Sequence, residues 1–135
     1  MVTKIDHIGI FVKDLEESVG KYARLLGLEA GKIEEVTFDG AVDRLAFLPL
    51  GDASIELIGT TAEKGFAADF LKEKGEAIHH IAFEVEDLDK VFGELASQGV
   101  AFLKNRVLAG SRGTKVAFFQ PEEFNGVYIE LVERH

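Results

Sequence analysis

The chain has 135 residues, 47% of them hydrophobic, and its 15 basic against 24 acidic side chains give a formal charge of −9. This length can bury roughly two-thirds of the unfolded surface, while the acidic balance argues against nucleic acid or an anionic membrane as a partner. The absence of cysteine excludes disulfide and thiolate chemistry. Charged residues interrupt the N-terminal segment MVTKIDHIGIFVKDLEE, so it resembles neither a signal peptide nor a membrane span, and we expect a cytoplasmic location.

The first half predicts one strand, one helix and three further strands. Residues 5–12 are nearly continuous in apolar character, as in a buried strand. Asp14 is suited to cap a helix whose apolar residues recur at helical spacing, and Gly27 is suited to end it in a left-handed conformation. The three strands are then predicted at 31–38, 42–48 and 53–58.

The second half predicts the same order of elements. A strand containing His80 precedes a helix that is capped by Asp87 and ended by Gly99. Strands are predicted at 101–103, 115–120 and 127–132. The predicted fold is therefore α+β and a single domain, with β-α-β-β-β modules at about 1–60 and 77–135 joined by a linking helix at about 61–76.

The two modules repeat each other at residues that can carry chemistry. His7 aligns with His80 at an offset of 73, and Glu56 aligns with Glu130 because the segment SIELI mirrors YIELV. The histidine-to-glutamate separation is 49 positions in the first half and 50 in the second. Pseudo-twofold symmetry can therefore bring two histidines and two glutamates together.

The repeated residues predict a metal site. Each glutamate lies between apolar neighbours, so strand alternation turns its carboxylate to the opposite face. Carboxylates turned inward on a curved sheet are costly unless they are paired or coordinated. We expect the modules to form a curved, incomplete barrel around one divalent ion, with Co²⁺, Ni²⁺, Zn²⁺ or Mn²⁺ suited to these ligands. The alternative for any one of these residues is an ordinary strand position. By alternation His79 should pack away from His80, and His135 should be solvated.

The doubled module with these residues resembles the vicinal oxygen chelate superfamily over essentially the whole chain. Similarity to methylmalonyl-CoA epimerases is carried by IDHIGIFVKDLEES, AFLPLGDASIELI, FLKEKGEAIHHIAFEVEDLD and KVAFFQPEEFNGVYIELVE, and is most specific at GEAIHHIAFEV. The resemblance implies that His7, Glu56, His80 and Glu130 are the metal ligands. It also implies a small anionic carboxyacyl-CoA thioester, such as methylmalonyl-CoA, as the substrate.

The same resemblance implies the reaction, in which an α-proton is removed and returned through a metal-stabilised enolate. Inversion requires two bases on opposite faces of the substrate, and Glu130 is a candidate for one. The family places a Glu three residues after a Gly in the strand before the second ligand strand, and Asp43 occupies that position here. The alternative for Asp43 is a polar residue at a strand entrance.

A basic segment predicts where the substrate's anionic group binds. Between 103 and 121 the chain has four basic residues and no acidic one. We expect Ser111, Arg112, Lys115 and Gln120 to contact the anion, through backbone N–H groups and a guanidinium on a flexible turn. At 120–122 the chain has Gln-Pro-Glu where the family commonly has His-Pro-Lys. The alternative is a solvated hairpin whose charges keep a sheet edge soluble.

Two other classes of function stay open. A glyoxalase I-type lactoylglutathione lyase uses the same four ligands, although here His80 follows Glu56 by 24 positions, a longer connection than a glyoxalase I of similar size generally has. A non-catalytic ligand-binding protein of the same fold is the other class, and the complete set of four ligands argues against it. We expect a homodimer with no nucleic acid or membrane partner.

Overall fold

The computed structural model describes residues 1–38 and 40–134, so His135 lies outside the described residues. The chain folds into two compact units. Unit 1 combines Met1–Asp6 with the chain from His80 onward, and unit 2 is the continuous segment His7–His79. The unit boundaries therefore fall inside two strands rather than between the modules read from the sequence. No helix among the described residues is both long and apolar enough to cross a bilayer.

Both modules have the predicted order of elements, which confirms the α+β class. The first contains β1 (Val2–Phe11), α1 (Leu15–Leu26), β2 (Glu34–Phe38), β3 (Ala41–Leu50) and β4 (Ala53–Thr60). The predicted linking helix is α2 (Phe66–Lys74). The second module contains β5 (Ala77–Val85), α3 (Leu88–Ser97), β6 (Leu108–Ala109), β7 (Lys115–Phe118) and β8 (Tyr128–Glu133).

The helix starts follow the predicted capping chemistry. Asp14 Oδ1 accepts a hydrogen bond from Glu17 N at 3.1 Å, and Asp87 Oδ1 accepts one from Lys90 N at 3.2 Å. Each cap pairs with one of the first N–H groups of its helix, which have no partner within the helix. Gly27 ends α1 in the left-handed conformation at φ 67°, as its position predicts.

In unit 2 the strands lie in the order β2, β3, β4, β1. The segment 7–11 of β1 runs parallel to β4, and the other neighbours are antiparallel. Helix α1 packs on one face through a cluster that includes Leu15, Leu48 and Leu57. Helix α2 packs with Phe11, Leu45, Phe47 and Ile58 in a second cluster.

In unit 1 the strands lie in the order β5, β8, β7, β6. The segment 80–84 of β5 runs parallel to β8, as β1 does to β4 in unit 2. Helix α3 covers one face of these strands, and its core cluster includes Leu88, Val91, Phe119 and Leu131. The repeated sequence thus forms the same arrangement of strands in each unit.

The predicted strand at 101–103 is wrong in extent. Only Phe102 forms a bridge there, with Phe119, and the chain then turns through Leu103–Asn105 with Lys104 and Asn105 at positive φ. The edge strand is the two-residue β6, paired with β7. The Phe102 ring stacks on Phe119 with centroids 4.6 Å apart, so the apolar character at this position reflects packing beneath α3 rather than a continuous strand.

Candidate functional site

In unit 2, His7 and Glu56 lie side by side. The register of β1 with β4 places Gly9 opposite Glu56, and His7, two residues before Gly9, shares its face. His7 Nε2 is 3.4 Å from Glu56 Oε1, and both side chains are buried. Gly9 therefore places no side chain beside the Glu56 carboxylate.

In unit 1, His80 and Glu130 form the equivalent pair. The register of β5 with β8 places Ala82 opposite Glu130, and His80 lies two residues before Ala82 on the same face. His80 Nε2 is 4.0 Å from Glu130 Oε1, and both side chains are buried. A small residue therefore lies beside the carboxylate in each unit.

A phenylalanine packs edge-on against each histidine. The His7 and Phe47 ring centroids are 5.8 Å apart, and those of His80 and Phe118 are 5.3 Å apart. Phe47 lies opposite Glu56 across β3 and β4, and Phe118 lies opposite Glu130 across β7 and β8. Sequence reasoning missed these rings and the small residues, although the spacing from each histidine to the small residue two positions later is the same in both modules.

The donor atoms of each pair suit a divalent ion. Imidazole nitrogen and carboxylate oxygen are the ligand types that Zn²⁺, Co²⁺, Ni²⁺ and Mn²⁺ share. Two such atoms, each about 2.1 Å from an ion, are about 3.0 to 3.4 Å apart when they occupy neighbouring positions around it. The His7–Glu56 separation of 3.4 Å lies in that range, and the His80–Glu130 separation of 4.0 Å exceeds it. His7, Glu56 and His80 are buried residues of metal-ligand type.

His79 packs among aromatic rings in unit 2. Its imidazole stacks on Phe11, with centroids 4.7 Å apart, and meets Phe66 and Phe70 edge-on at 4.7 and 5.0 Å. The packing role predicted for His79 is thereby confirmed. The two adjacent histidines of β5 have different surroundings, since His80 contacts Phe118 in unit 1.

The two histidines are therefore expected to respond differently to substitution. Replacing His80 with Ala is expected to weaken metal binding far more than replacing His79 with Ala, because His80 lies beside Glu130 whereas the His79 ring packs among phenylalanines. The His79 variant should instead lower the melting temperature, since it opens a cavity among three aromatic rings. Calorimetric titration with Co²⁺ and thermal unfolding measure the two effects. Equal loss of metal affinity in both variants would contradict the assignment.

Asp43 is buried on β3, on the same face as Phe47 and therefore as Glu56. Burial raises the pKa of the Asp43 carboxyl, and the Thr60 hydroxyl across the strand pair lowers it by a smaller amount. Among the described residues, nothing donates a hydrogen bond to Asp43 Oδ1. A carboxylate with a raised pKa and an uncommitted oxygen has the properties of a general base.

The predicted anion-binding turn contains hydrogen bonds between its own backbone groups. Gly110 N donates to Thr114 O at 2.9 Å, and Thr114 N donates to Ser111 O at 3.1 Å. Arg112 occupies the left-handed region at φ 56°. A Cβ at Gly110 would come 2.5 Å from Thr114 Oγ1, so the turn requires glycine there.

Lys115 and Gln120 have other partners in the structure. Lys115 lies on the face of β7 opposite to Phe118, where its Nζ is 2.6 Å from Asp89 Oδ2, and this carboxylate raises the pKa of Lys115. The backbone N–H of Gln120 donates to Ala101 O at 2.9 Å. The predicted substrate contacts of both residues stay predictions, and the ion pair with Asp89 had no signal in the sequence.

Comparisons with known proteins agree with the resemblance seen in the sequence. The profile of the Glyoxalase/Bleomycin resistance protein/Dioxygenase superfamily matches residues 6–118. The chain is 33% identical to the ethylmalonyl-CoA/methylmalonyl-CoA epimerase of Cereibacter sphaeroides, over 97% of this chain and 98% of that protein. Its structure is similar to the crystal structure of the methylmalonyl-CoA epimerase of Mycobacterium tuberculosis, with a TM-score of 0.89. The two sequences are 34% identical, and the match covers 99% of this chain and 89% of that one.

A second similar structure holds a ligand. The Streptomyces coelicolor methylmalonyl-CoA epimerase in complex with 2-nitronate-propionyl-CoA has a TM-score of 0.88 and is 32% identical, over 98% of each chain. The match thus extends over nearly the whole of both chains rather than over one module. The chain belongs to the Glyoxalase/Bleomycin resistance protein/Dioxygenase superfamily, within which it is similar to methylmalonyl-CoA epimerases.

Proposed function

We propose that the chain is a metal-dependent isomerase that epimerises a small carboxyacyl-CoA, with methylmalonyl-CoA as the expected substrate. The observation that carries this proposal is the doubled pair of buried histidine and glutamate, built the same way in each unit. Similarity to epimerases over nearly the full length of the chain supports the substrate class.

In this proposal His7, Glu56, His80 and Glu130 together hold one divalent ion. When bound there, a divalent ion would supply Lewis-acid stabilisation for negative charge on the thioester oxygen. Phe47 and Phe118 exclude water from the histidines that they cover. The ligand types fit Co²⁺, Ni²⁺, Zn²⁺ or Mn²⁺.

Proton transfer is assigned to two carboxylates. Glu130 serves as one base in addition to holding the ion, and Asp43 serves as the other. The raised pKa of Asp43 favours this role because a base with a pKa nearer to neutrality accepts a proton more readily than an ordinary aspartate does. Each carboxylate gives and accepts the proton on its own side of the substrate, so inversion needs no further group.

Exchange with solvent tests the reaction directly. During turnover in deuterated water the α-proton of methylmalonyl-CoA should be replaced by deuterium, because each base exchanges its proton with solvent. Mass spectrometry of the recovered thioester measures the exchange. If a glutathione hemithioacetal is consumed while malonyl-type thioesters show no exchange, the protein is a glyoxalase I-type lyase. If neither substrate reacts in metal-loaded protein, it is a binding protein.

Arg112 is expected to bind the anionic group of the substrate, assisted by the Ser111 turn. Arg112→Ala should mainly raise KM, because a charge-assisted contact made equally in ground and transition states affects binding more than turnover. Lys115→Ala should also raise KM, although the Lys115 ammonium group pairs with Asp89 in the structure. Steady-state kinetics of both variants measure the effect. Unchanged KM in both would favour the solvated hairpin.

We also expect a cytoplasmic homodimer. Light scattering of the purified protein measures the mass of the particle against the 14.8 kDa of one chain. Fractionation of cells that express the protein measures its location.

A further inference from the structure

The chain passes between the two compact units at two peptide bonds, and a proposed metal ligand follows each one. Unit 1 ends its first segment at Asp6, and His7 begins unit 2. Unit 2 ends at His79, and His80 begins the second segment of unit 1. In the internal repeat, Asp6 and His79 are equivalent positions, since both lie directly before a repeated histidine.

Asp6 is anchored within unit 1 by a two-point ion pair. Arg134 Nε donates to Asp6 Oδ1 at 2.6 Å, and Arg134 Nη2 donates to Asp6 Oδ2 at 2.7 Å. The Asp6 side chain is only 4% exposed, and that of Arg134 is 30% exposed. Two parallel, charge-assisted hydrogen bonds fix both the position and the plane of a carboxylate. Burial strengthens the effect, because an aspartate without this partner would be costly there.

His79 is anchored within unit 2 by a different chemistry. Its ring is held between Phe11, Phe66 and Phe70, at centroid distances of 4.7 to 5.0 Å. Both residues that precede a proposed ligand are therefore buried and held by contacts within their own unit. The residues that follow, His7 and His80, each lie beside a glutamate of their own unit, Glu56 and Glu130 respectively.

Arg134 also continues directly from the strand that carries Glu130. β8 ends at Glu133, and Arg134 follows it. The pair therefore ties the backbone just before His7 to the end of the strand that bears another proposed ligand. Neighbouring Cα atoms are about 3.8 Å apart, and ligand geometry must be held to within about 0.5 Å for productive binding. Because one peptide bond joins the two residues, a shift of Asp6 also moves the backbone of His7.

We propose that Arg134 is a positioning residue, which sets His7 for metal binding by holding Asp6 in the two-point ion pair. The inference rests on the proposed metal site, and it adds a residue that neither coordinates the ion nor touches the substrate. Loss of partners that orient metal ligands commonly weakens affinity by about 10- to 100-fold. Arg134 should act in that way through Asp6, which one peptide bond joins to His7.

The test compares two arginine-to-lysine changes. Arg134→Lys keeps the charge but loses the two-point contact. Arg44→Lys is the matched control, because Arg44 makes the same two-point contact with the exposed Glu16, at 3.2 and 2.7 Å. Co²⁺ is titrated into each metal-free protein at a temperature where circular dichroism shows that it is folded. Hydrogen–deuterium exchange of the peptide containing His7 gives a readout independent of activity.

We expect Arg134→Lys to bind Co²⁺ at least about tenfold more weakly than the unchanged protein, with faster exchange at the peptide containing His7. Arg44→Lys should change neither. Affinity within twofold of the unchanged protein, or an equal loss in the control, overturns the inference. If Arg134→Lys does not fold, the double variant Asp6→Asn with Arg134→Gln is measured by the same criteria, and if that also fails to fold the pair is merely structural. Failure of the unchanged protein to bind Co²⁺ would instead refute the proposed function.

Discussion

Replacing Glu130 with Gln is expected to lower turnover by about a thousandfold, within the range seen when a general base is lost. The change removes a negative charge from the proposed metal site and a base from the reaction. Added Co²⁺ should restore the bound metal without restoring the rate, because an amide cannot accept the α-proton. The measurement is turnover with methylmalonyl-CoA at increasing Co²⁺ concentration.

The internal repeat provides the control. Glu56→Gln makes the same chemical change at the equivalent position of the other unit, where no proton transfer is assigned. Its activity should recover at saturating Co²⁺, while that of Glu130→Gln should not. Equal recovery in both variants would show that Glu130 is a ligand alone and that another group serves as the base.

Replacing Asp43 with Asn is expected to lower turnover by about a hundredfold or more while the metal remains bound. Asp43 is not among the proposed ligands, so Co²⁺ affinity should be unchanged. Asp52→Asn is the matched control, since Asp52 is exposed in the turn between β3 and β4. Full activity in Asp43→Asn would assign the second base to a different residue or to water.

The same variant should have a distinctive pH dependence of stability. Because burial raises the pKa of Asp43, the folded protein keeps this proton in a pH range where the unfolded chain has released it. The unfolding free energy of the unchanged protein should therefore fall as pH rises from the unfolded pKa through the folded pKa. Asp43→Asn should lack this contribution, so its stability relative to the unchanged protein should increase over that window. Urea unfolding of both proteins across the window measures the difference.

Features with a local physical cause were predictable from the sequence. Asp14 and Asp87 cap their helices through backbone groups three residues away, and such contacts depend on short segments alone. The pairing of each histidine with its glutamate was predictable for another reason. A duplicated pattern repeats the same register, so β1 with β4 and β5 with β8 match in both halves.

Contacts between distant residues of unlike pattern were not predictable. Lys115 forms an ion pair with Asp89, which lies 26 positions earlier in α3, and Arg134 forms one with Asp6, which lies 128 positions earlier. When only the sequence is known, any of many acidic residues could be the ion-pair partner of a given basic side chain. The strand predicted at 101–103 was wrong in extent because the chain turns at Lys104, whose positive φ has no marker in the sequence.

The chain's two crossings between units also affect the order in which the protein can fold during synthesis. Unit 2 is continuous, so all of its contacts are available once residue 79 has left the ribosome. Unit 1 must wait, because Asp6 is made 128 residues before its partner Arg134. Contacts of such long separation in sequence form slowly. The ion pair therefore forms only after translation has passed the end of β8. A nascent chain stalled before that point would also lack Ile129 and Leu131, which belong to the core cluster of α3, and would leave the apolar side of that helix exposed.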